Sequence, residues 1–353
     1  MIKILHSADW HLDSPLAARD ESLRAALLEI PGKLADLARR ENCDLVLLAG
    51  DLFDGIPSRE TVELVRRALE EMAVPVFISP GNHDYVRPDS PWLSQLWPEN
   101  VHVFTQNNLT SVALPALDCR VYGGAFAGMD CPGLLEGFRA EGQERHHIAV
   151  LHGDPQLRNS PYCPITQEQI QNSGLDYLAL GHIHKTGQLR VGQTLCAWPG
   201  CPMGRGYDET GEKGVYMVTL DETARAEFRV LDTPRFYDLT AEAGDDPEDA
   251  LNALLPSLGS GDYYRVTLTG ECPGVDIPAL QLAFSRFPRL VLRDRTVPPV
   301  DLWANAGDDT LEGVYFQRLR EALADADEDA ARQIRLAAKI SRKLLDGQEV
   351  VLP

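Results

Sequence analysis

The chain has 353 residues, which is enough for a sizeable buried core and for more than one folded unit. Its formal net charge of −20 argues against a simple nucleic-acid-binding protein, because the average field of the chain repels phosphate. Its seven cysteines form no Cys-X-X-Cys pair, which argues against a disulfide framework or a zinc ribbon and favours reduced thiols.

The N-terminal part of the chain alternates between short apolar runs and segments of helical periodicity. The predicted elements are a strand at 2–8, a helix at 22–41, a strand at 44–49, a helix at 58–72 and a strand at 74–79. Pro31-Gly32 predicts a break in the first helix, and Ser58 is a suitable N-cap for the second. This β-α-β-α-β order predicts a layered α/β domain, in which functional residues collect at the carboxyl ends of the strands.

Short strands predominate between residues 101 and 231. We predict strands at 120–125, 148–151 and 175–180, and a helix that begins at Pro164 and reaches Ser173. The segments predicted to be antiparallel strands that complete the sheets are 190–191, 194–198, 214–220 and 226–231.

The composition changes near Pro234, and the acidic, Gly- and Pro-rich stretch 240–262 predicts the start of a second unit. That unit should contain a strand at 263–269, a helix at 278–287 and a strand at 289–297. Apolar residues at helical spacing between 308 and 345 predict two further helices, separated by the acidic stretch 325–329. We therefore divide the chain into a domain of residues 1–235, a small α/β domain of residues 236–300 and C-terminal helices in residues 301–353.

Polar clusters follow five of the predicted strands. The site candidates in these clusters are Asp9, His11, Asp51, Asn82, His83, His152, His182 and His184. Carboxylate, imidazole and amide ligands together suit divalent manganese, iron or zinc. The set exceeds what one four-coordinate metal needs, so two metals that share one carboxylate are predicted. Such a pair suits in-line displacement at phosphorus.

The five segments DWH, GDLFD, GNHD, HGD and GHIH resemble, in order and spacing, the motifs of the calcineurin-like metallophosphoesterases. The resemblance covers about residues 1–235. The longer strings ILHSADWHLDSP, YLALGHIH and WPGCPMGRGYDETGEKGVYMV resemble the SbcD nuclease branch, especially its YhaO-like members. The resemblance implies a layered αββα metallophosphoesterase sandwich of the α/β class, followed by a small α/β capping domain and C-terminal helices.

The resemblance also implies a distribution of the ligands over two divalent metals, most simply manganese, with iron or zinc as alternatives. Asp51 would bridge the two ions. The first ion would also be held by Asp9, His11 and His184, and the second by Asn82, His152 and His182.

Three further residues receive roles from the same resemblance. His83 would lie over the leaving oxygen as the general acid, and Asp54 would pair with it and favour its protonated form. Arg205 lies in a segment that resembles the substrate side of the family, which predicts a phosphate contact. A solvated loop arginine is the alternative.

Other polar residues are assigned by composition and spacing alone. The histidines outside the clusters, predicted to be structural, are His6, His102, His146 and His147. Trp10, Trp198, Cys196 and Cys201 are predicted to pack rather than to bind ligands. Arginines concentrate in the second unit, and Arg289, Arg293 and Arg295 share strand parity, so they predict either a DNA-facing patch or a solvated face.

The expected function is a metal-dependent phosphodiesterase that cleaves DNA, an SbcD-like exonuclease and endonuclease subunit in DNA repair. One alternative is a phosphoesterase for nucleotides or other small phosphate esters, which the acidity favours. Another is a subunit that acts only with an SMC-like coiled-coil ATPase of the SbcC/YhaN type, docked on the C-terminal helices. A homodimer would fit the family. The N-terminus lacks the pattern of a signal peptide and no apolar run is long enough to span a membrane, so we expect a cytoplasmic location without membrane association.

Overall fold

The structure, a computed structural model, describes residues 1–347. The end of the predicted C-terminal segment, residues 348–353, lies outside the described residues. The chain divides into two units. The first comprises Met1–Asp238 and Gly261–Tyr264, and the second comprises Leu239–Ser260 and the chain from Arg265 onward. The division at 235 and 300 that we drew from the sequence stays a prediction.

The first unit is built from two six-stranded sheets. Its strands within the described residues are β1 (Ile2–Ser7), β2 (Leu45–Leu48), β3 (Val76–Ile78), β4 (Val101–Val103), β5 (Thr110–Leu114), β6 (Cys119–Gly123), β7 (His146–His152), β8 (Tyr177–Gly181), β9 (Gly187–Val191), β10 (Thr194–Trp198), β11 (Gly214–Leu220) and β12 (Ala224–Val230). The first sheet has the order β12-β11-β1-β2-β3-β4, and the second has the order β5-β6-β7-β8-β10-β9.

Parallel pairing runs through the centre of both sheets. In the first sheet β1, β2, β3 and β4 pair in parallel, and β11 pairs antiparallel with β1. In the second sheet β6, β7, β8 and β10 are parallel, and β5 and β9 are antiparallel edges. The prediction that residues 194–198 form an antiparallel strand is therefore wrong with respect to β8. The tight turn between β9 and β10 reverses the direction of the chain. Strand β10 is therefore antiparallel to β9 on one side and parallel to β8 on the other.

The helices of the first unit cover the outer faces of the sheets. They are α1 (Glu21–Leu28), α2 (Ile30–Arg40), α3 (Arg59–Glu71), the short α4 (Pro91–Ser94) and α5 (Gln167–Asn172). The break predicted at Pro31-Gly32 falls at Glu29, because Pro31 occupies the first turn of α2, where its missing N–H is tolerated. The helix predicted from Pro164 begins later, after the N-cap Thr166, which forms a capping box with Gln169.

The core lies between the two sheets. Ile4 and Leu47 of the first sheet belong to the same buried apolar cluster as Val121, Val150 and Ala179 of the second sheet. The four residues of β2 are all buried, because helices cover the other face of that sheet. The result is the layered α/β sandwich predicted from the sequence, with helices outside two facing sheets.

The second unit contains most of a three-stranded sheet and the C-terminal helices. The sheet has the order β13-β14-β15, formed by β13 (Phe236–Glu242), β14 (Tyr263–Thr269) and β15 (Leu290–Asp294). The helices are α6 (Pro247–Leu254), α7 (Ile277–Ala283), α8 (Leu311–Ala324) and α9 (Glu328–Leu345). Helix α6 was missed in the stretch 240–262. Within residues 1–347 no helix is long and apolar enough to cross a membrane.

Candidate metal centre

Loops at the carboxyl ends of β1, β2, β3, β7 and β8 carry the predicted ligands, and hydrogen bonds join these loops. The backbone N–H of Asp9 donates to the carbonyl of Gly50 at 3.0 Å, and that of His11 donates to the carbonyl of Asp51 at 2.9 Å. The backbone N–H of His182 donates to the Asp9 carboxylate at 2.9 Å. The strand ends of both sheets therefore meet at one place.

Several of these residues have a left-handed backbone. The φ angles are 54° at Asp9, 48° at His11, 52° at Asp51 and 93° at His182. This region favours glycine, and each such residue costs roughly 1–3 kcal/mol unless its surroundings hold it. Glycine itself is required at Gly50, where φ is 85° and a Cβ would lie 2.6 Å from the His152 Nδ1.

The side chains form three overlapping groups of possible ligands. Within each group one ligand atom from every member lies within 4.8 Å of the others, and the groups are Asp9, His11 and His184; His11, Asp51 and His83; and Asp9, Asp51 and His152. Asn82 lies at the same place, since its Oδ1 is 2.9 Å from the His152 Nε2. The ring of His182 is 5.2 Å from the ring of His152, centroid to centroid.

The surroundings of His152 fit a cation. Its Nδ1 lies 2.9 Å from the carbonyl oxygen of Ala49, which can only accept, so Nδ1 carries the proton and Nε2 carries a lone pair. Burial lowers the pKa of His152 well below its usual range, so the ring is neutral. Nε2 faces the Asn82 Oδ1 and, at 3.4 Å, the Asp51 Oδ2. Three acceptors converge without a donor, which is the arrangement that a metal ion satisfies.

His11 and His184 form a second pair of facing imidazoles, in which, although burial opposes it, the hydrogen bond with Glu209 raises the pKa of His184. The Glu209 Oε1 lies 2.6 Å from the His184 Nδ1 and holds the proton there, which leaves Nε2 to face the His11 Nε2 at 3.1 Å. Burial, followed by the nearby Arg205, lowers the pKa of His11 well below its usual range. The His11 Nδ1 is buried and makes no hydrogen bond to the described residues. The two Nε2 atoms converge on one place, as the ligand atoms of a metal ion do.

The carboxylates of the site repel one another. Burial, together with Asp84 and Asp9, raises the pKa of Asp51 well above its usual range. Burial raises the pKa of Asp9 to about 6. Buried carboxylates at such short range are stable in the ionised form only when a cation balances them, so the donor set fits divalent metal ions.

His83 and Asp54 form a pair beside the ligands. The His83 Nδ1 lies 2.8 Å from the Asp54 Oδ1, and 40% of the His83 side chain is exposed. Although burial opposes it, the hydrogen bond with His83 lowers the pKa of Asp54, so this carboxylate is ionised. The His83 Nε2 makes no hydrogen bond to the described residues, and this nitrogen is free for a ligand.

Arg205 is held inside the site rather than in solvent. Only 8% of its side chain is exposed, and its Nη2 donates to the Glu209 Oε1 at 2.7 Å. Its Nη1 lies 3.7 Å from the Asp54 Oδ2. The alternative of a solvated loop arginine is therefore wrong, and the phosphate contact stays a prediction.

Two important carboxylates received no role from the sequence. Glu209 accepts from the backbone and the side chain of Arg205 and orients His184. Asp84 accepts from the backbone N–H of Gly81 at 2.7 Å and of Leu52 at 2.8 Å, and so ties the loops after β2 and β3 together. Asp84 ends the quoted GNHD segment and Glu209 lies four residues after Arg205, but neither position reveals its partners.

The histidines, tryptophans and cysteines outside the clusters are structural where the contacts define them. His6 bridges the sheets, with its Nδ1 2.7 Å from the Tyr177 hydroxyl and its Nε2 3.0 Å from the carbonyl oxygen of Leu180. Trp10, Trp198, Cys196 and Cys201 are buried, as predicted.

The arginines of the second unit do not form the row along one strand face that their spacing in the sequence suggests. Strand β15 ends at Asp294, so of the three arginines predicted to share one strand face only Arg293 lies within it. Arg286 stacks on the rings of Phe284 and Phe287.

A family model for calcineurin-like phosphoesterases matches residues 2–186. The uncharacterised metallophosphoesterase YhaO of Bacillus subtilis (strain 168) is 33% identical over 243 residues, which cover 62% of this chain and 57% of that protein. The SbcD component of the SbcCD nuclease of Staphylococcus saprophyticus is 29% identical over 119 residues, which cover 32% of this chain and 31% of that protein. The chain thus spans less than two thirds of the length of either relative. Among solved structures, a dimetal phosphatase from Danio rerio matches with a TM-score of 0.44 at 14% identity, over 65% of this chain and 96% of that chain.

Proposed function

Because the chain belongs to the calcineurin-like phosphoesterase family, we propose that it is a metal-dependent phosphodiesterase that cleaves DNA. The observation that carries this proposal is the convergence of carboxylate, imidazole and amide acceptors at five strand ends, beside the His83–Asp54 pair. The likeness to a component of the SbcCD nuclease supports DNA as the substrate. The cysteines are free thiols, which agrees with the cytoplasmic location that we propose.

The donor set suits two divalent metals, which we take to be manganese, with iron and zinc as alternatives. Asp51 would bridge them. The remaining ligands would be Asp9, His11 and His184 for one ion, and Asn82, His152 and His182 for the other. When bound, the ions would neutralise the phosphate charge and lower the pKa of the attacking water.

The residues around the ligands hold them in place. Asp84 fixes the loop of Asp51, Glu209 fixes the ring of His184, and the carbonyl of Ala49 fixes the ring of His152. Glu209 and the Ala49 carbonyl hold a proton on the Nδ1 of His184 and of His152, respectively. The Nε2 atom of each ring then faces the metal position. Little reorganisation is then needed when metal or substrate binds.

His83 would act as the general acid that donates a proton to the leaving oxygen. The Asp54 carboxylate at its Nδ1 orients the ring, and Nε2 is the nitrogen that remains open towards the leaving oxygen. His83→Gln should lower turnover about 10²- to 10⁴-fold and leave manganese affinity unchanged. Loss of metal in that variant would contradict a role as proton donor.

Arg205 would donate a hydrogen bond to a phosphate oxygen of the substrate. A guanidinium has five N–H donors, so it can bond to Glu209 and still offer a donor to phosphate. Arg205→Lys should therefore raise the KM for a phosphodiester more than it lowers kcat.

The deciding experiment is hydrolysis by the purified chain with manganese. Labelled single- and double-stranded DNA, bis-p-nitrophenyl phosphate and nucleoside monophosphates would be compared. Asp51→Asn should abolish cleavage, whereas Asp36→Asn, at an exposed ion pair on α2, should not change it. DNA left intact with every metal, both by the wild-type chain alone and by the chain together with the SMC-like ATPase, would refute the nuclease.

A phosphoesterase for nucleotides or other small phosphates is the second candidate. The net charge of −20 favours it, since a small substrate needs no basic track. Turnover of nucleoside monophosphates with DNA untouched, in the same assay, would establish this function instead.

We propose that an SMC-like coiled-coil ATPase of the SbcC/YhaN type docks on helices α8 and α9. They present exposed apolar side chains, including Leu311 at 90% and Leu344 at 62%, around a groove of about 570 Å³. Such a surface suits an amphipathic helix. Leu311→Glu with Leu344→Glu should abolish pulldown of the ATPase without changing ester hydrolysis. A homodimer that survives these substitutions would have to use another surface.

A further inference from the structure

The ring of Tyr162 lies beside His182, one of the residues assigned to a metal ion. The ring centroids are 4.7 Å apart and the ring planes are tilted by 41°. Tyr162 is half-buried and packs against the apolar cluster below β7 and β8. Its hydroxyl makes no hydrogen bond to any described residue. An incompletely covered aromatic ring is thus present next to the candidate centre.

The backbone around Tyr162 is fixed on both sides. The carbonyl of Tyr162 accepts from the N–H of Asp154 at 3.1 Å. The neighbouring Pro161 and Cys163 exchange backbone hydrogen bonds of 2.8 Å with Cys131. Gly153 allows the close approach, because a Cβ there would lie 2.7 Å from the carbonyl oxygen of Cys163. The ring is therefore in place before a substrate arrives, which reduces the entropic cost of using it.

The charge of the molecule limits how a nucleic acid can be held near this centre. The chain carries a net charge of −20, and Arg205, the cation assigned to the phosphate, shares its guanidinium with Glu209. Attraction to phosphate alone is then weak. Stacking of a base on an aromatic ring does not depend on charge and contributes about tenfold or more in affinity. Leu157, which precedes Tyr162 between β7 and α5, is another apolar side chain that is exposed there, at 66%.

We propose that Tyr162 is a stacking platform for a nucleobase of the substrate. The base faces of a duplex are stacked on each other, whereas those of nucleotides, single strands and frayed ends are accessible to a protein ring. The substrate class is therefore a nucleotide or an unpaired strand with exposed bases. This assignment rests on the proposed phosphodiesterase function and specifies its substrate.

Two variants and two esters test the assignment. Tyr162→Leu keeps an apolar side chain against the cluster but removes the aromatic face, and Tyr162→Phe keeps that face. With manganese, Tyr162→Leu should raise the KM for thymidine 5′-(p-nitrophenyl phosphate) about tenfold, and Tyr162→Phe should leave it unchanged. Methyl p-nitrophenyl phosphate, which has no base, should be hydrolysed equally by all three proteins. Equal losses for both esters, or no loss for either, would overturn the assignment.

A binding measurement separates this assignment from the proposed activity. A single-stranded oligonucleotide with 2-aminopurine is titrated with metal-free protein, and stacking quenches its fluorescence. Wild type and Tyr162→Phe should quench at the same concentration, and Tyr162→Leu should require about tenfold more protein. Identical titrations for all three proteins would refute the platform. If the wild type hydrolyses neither ester, the phosphodiesterase proposal fails and this titration still decides the role of Tyr162.

Discussion

Individual residues of the candidate centre occupy conformations that are unfavourable without a bound ion. Asp9, His11, Asp51 and His182 have positive φ angles, and the lone pair of the His152 Nε2 faces the Oδ1 of Asn82. Hydrogen bonds between the loops offset part of this cost. The free energy of metal binding should offset the remainder, so the stability of the fold and the occupancy of the site are coupled.

Asp51→Asn should therefore raise the stability of the metal-free protein and reduce the gain in stability that metal gives. Without metal, the variant should unfold at a higher temperature than the wild type, because an amide avoids the cost of burying the Asp51 carboxyl beside Asp9 and Asp84, the cost that its raised pKa reflects. With manganese at about 100 times the wild-type Kd, the wild type should gain about 2.7 kcal/mol and the variant much less. Thermal unfolding with chelator and with manganese measures both values. A variant that gains as much as the wild type would show that Asp51 is not a ligand.

Glu209 is a positioning residue whose role can be measured by metal affinity. Glu209→Gln keeps the size of the side chain but removes the charge that holds the His184 Nδ1 proton and the Arg205 guanidinium. We expect manganese affinity to fall about 10- to 100-fold. Glu212→Gln, at a more exposed glutamate three residues further on, is the matched control and should bind as the wild type does. Equal affinities in all three proteins would mean that Glu209 only supports the loop.

At the scale of the elements, His6 connects β1 of the first sheet with β8 of the second. Burial lowers the pKa of His6 to about 3, whereas the unfolded chain has the ordinary value of 6.5. The neutral ring is the folded form, so its contribution is complete above pH 6.5. It is lost as the pH falls from 6.5 towards 3, because the unfolded chain takes up the proton first.

This difference predicts a loss of about 2 kcal/mol at pH 5 from His6 alone. His6→Gln keeps a polar side chain that does not titrate, so its unfolding free energy should fall less between pH 7 and pH 5. Urea unfolding of both proteins with chelator gives the two differences, in which the contributions of other groups cancel. The same loss in both proteins would place the sensitivity to acid elsewhere.

The elements of the first unit could be predicted because their signals are local. The run Leu45–Leu48 is apolar throughout, and a polar cluster follows it directly. Helix α6 was missed because its acidic N-terminal turn resembles a loop, although Asp246 caps it and Pro247 opens it. The direction of β10 depends on its neighbour β8, which periodicity does not identify.

The candidate site was predicted as a set of residues, but its supporting contacts were not. The ends of the predicted strands and the spacing of the polar residues identified the candidate ligands, because both signals lie within short segments of the sequence. The contacts of Glu209 with His184 and of Asp84 with the loop after β2 join segments that are 25 and 32 residues apart. The left-handed φ of Asp9 and of His11 is likewise held by tertiary hydrogen bonds; Asp and His adopt this region more readily than most residues, but residue type does not identify the positions that do.

At the scale of the whole molecule, the acidic charge should determine how nucleic-acid binding responds to salt. Each phosphate contact with a single strand contributes about 0.7 to the slope of log K against log salt. If stacking supplies much of the affinity, we expect few such contacts and a slope no steeper than about −2. Fluorescence titrations of a labelled single strand between about 50 and 200 mM salt give this slope.

The arginines of the second unit provide the control for this prediction. Arg293 lies exposed on β15, and Arg295 follows the strand. If their face is only solvated, Arg293→Gln with Arg295→Gln should leave both the slope and the affinity nearly unchanged. A slope that is steep in the wild type and becomes less steep by about 1.4 in the double variant would instead identify this face as a DNA contact.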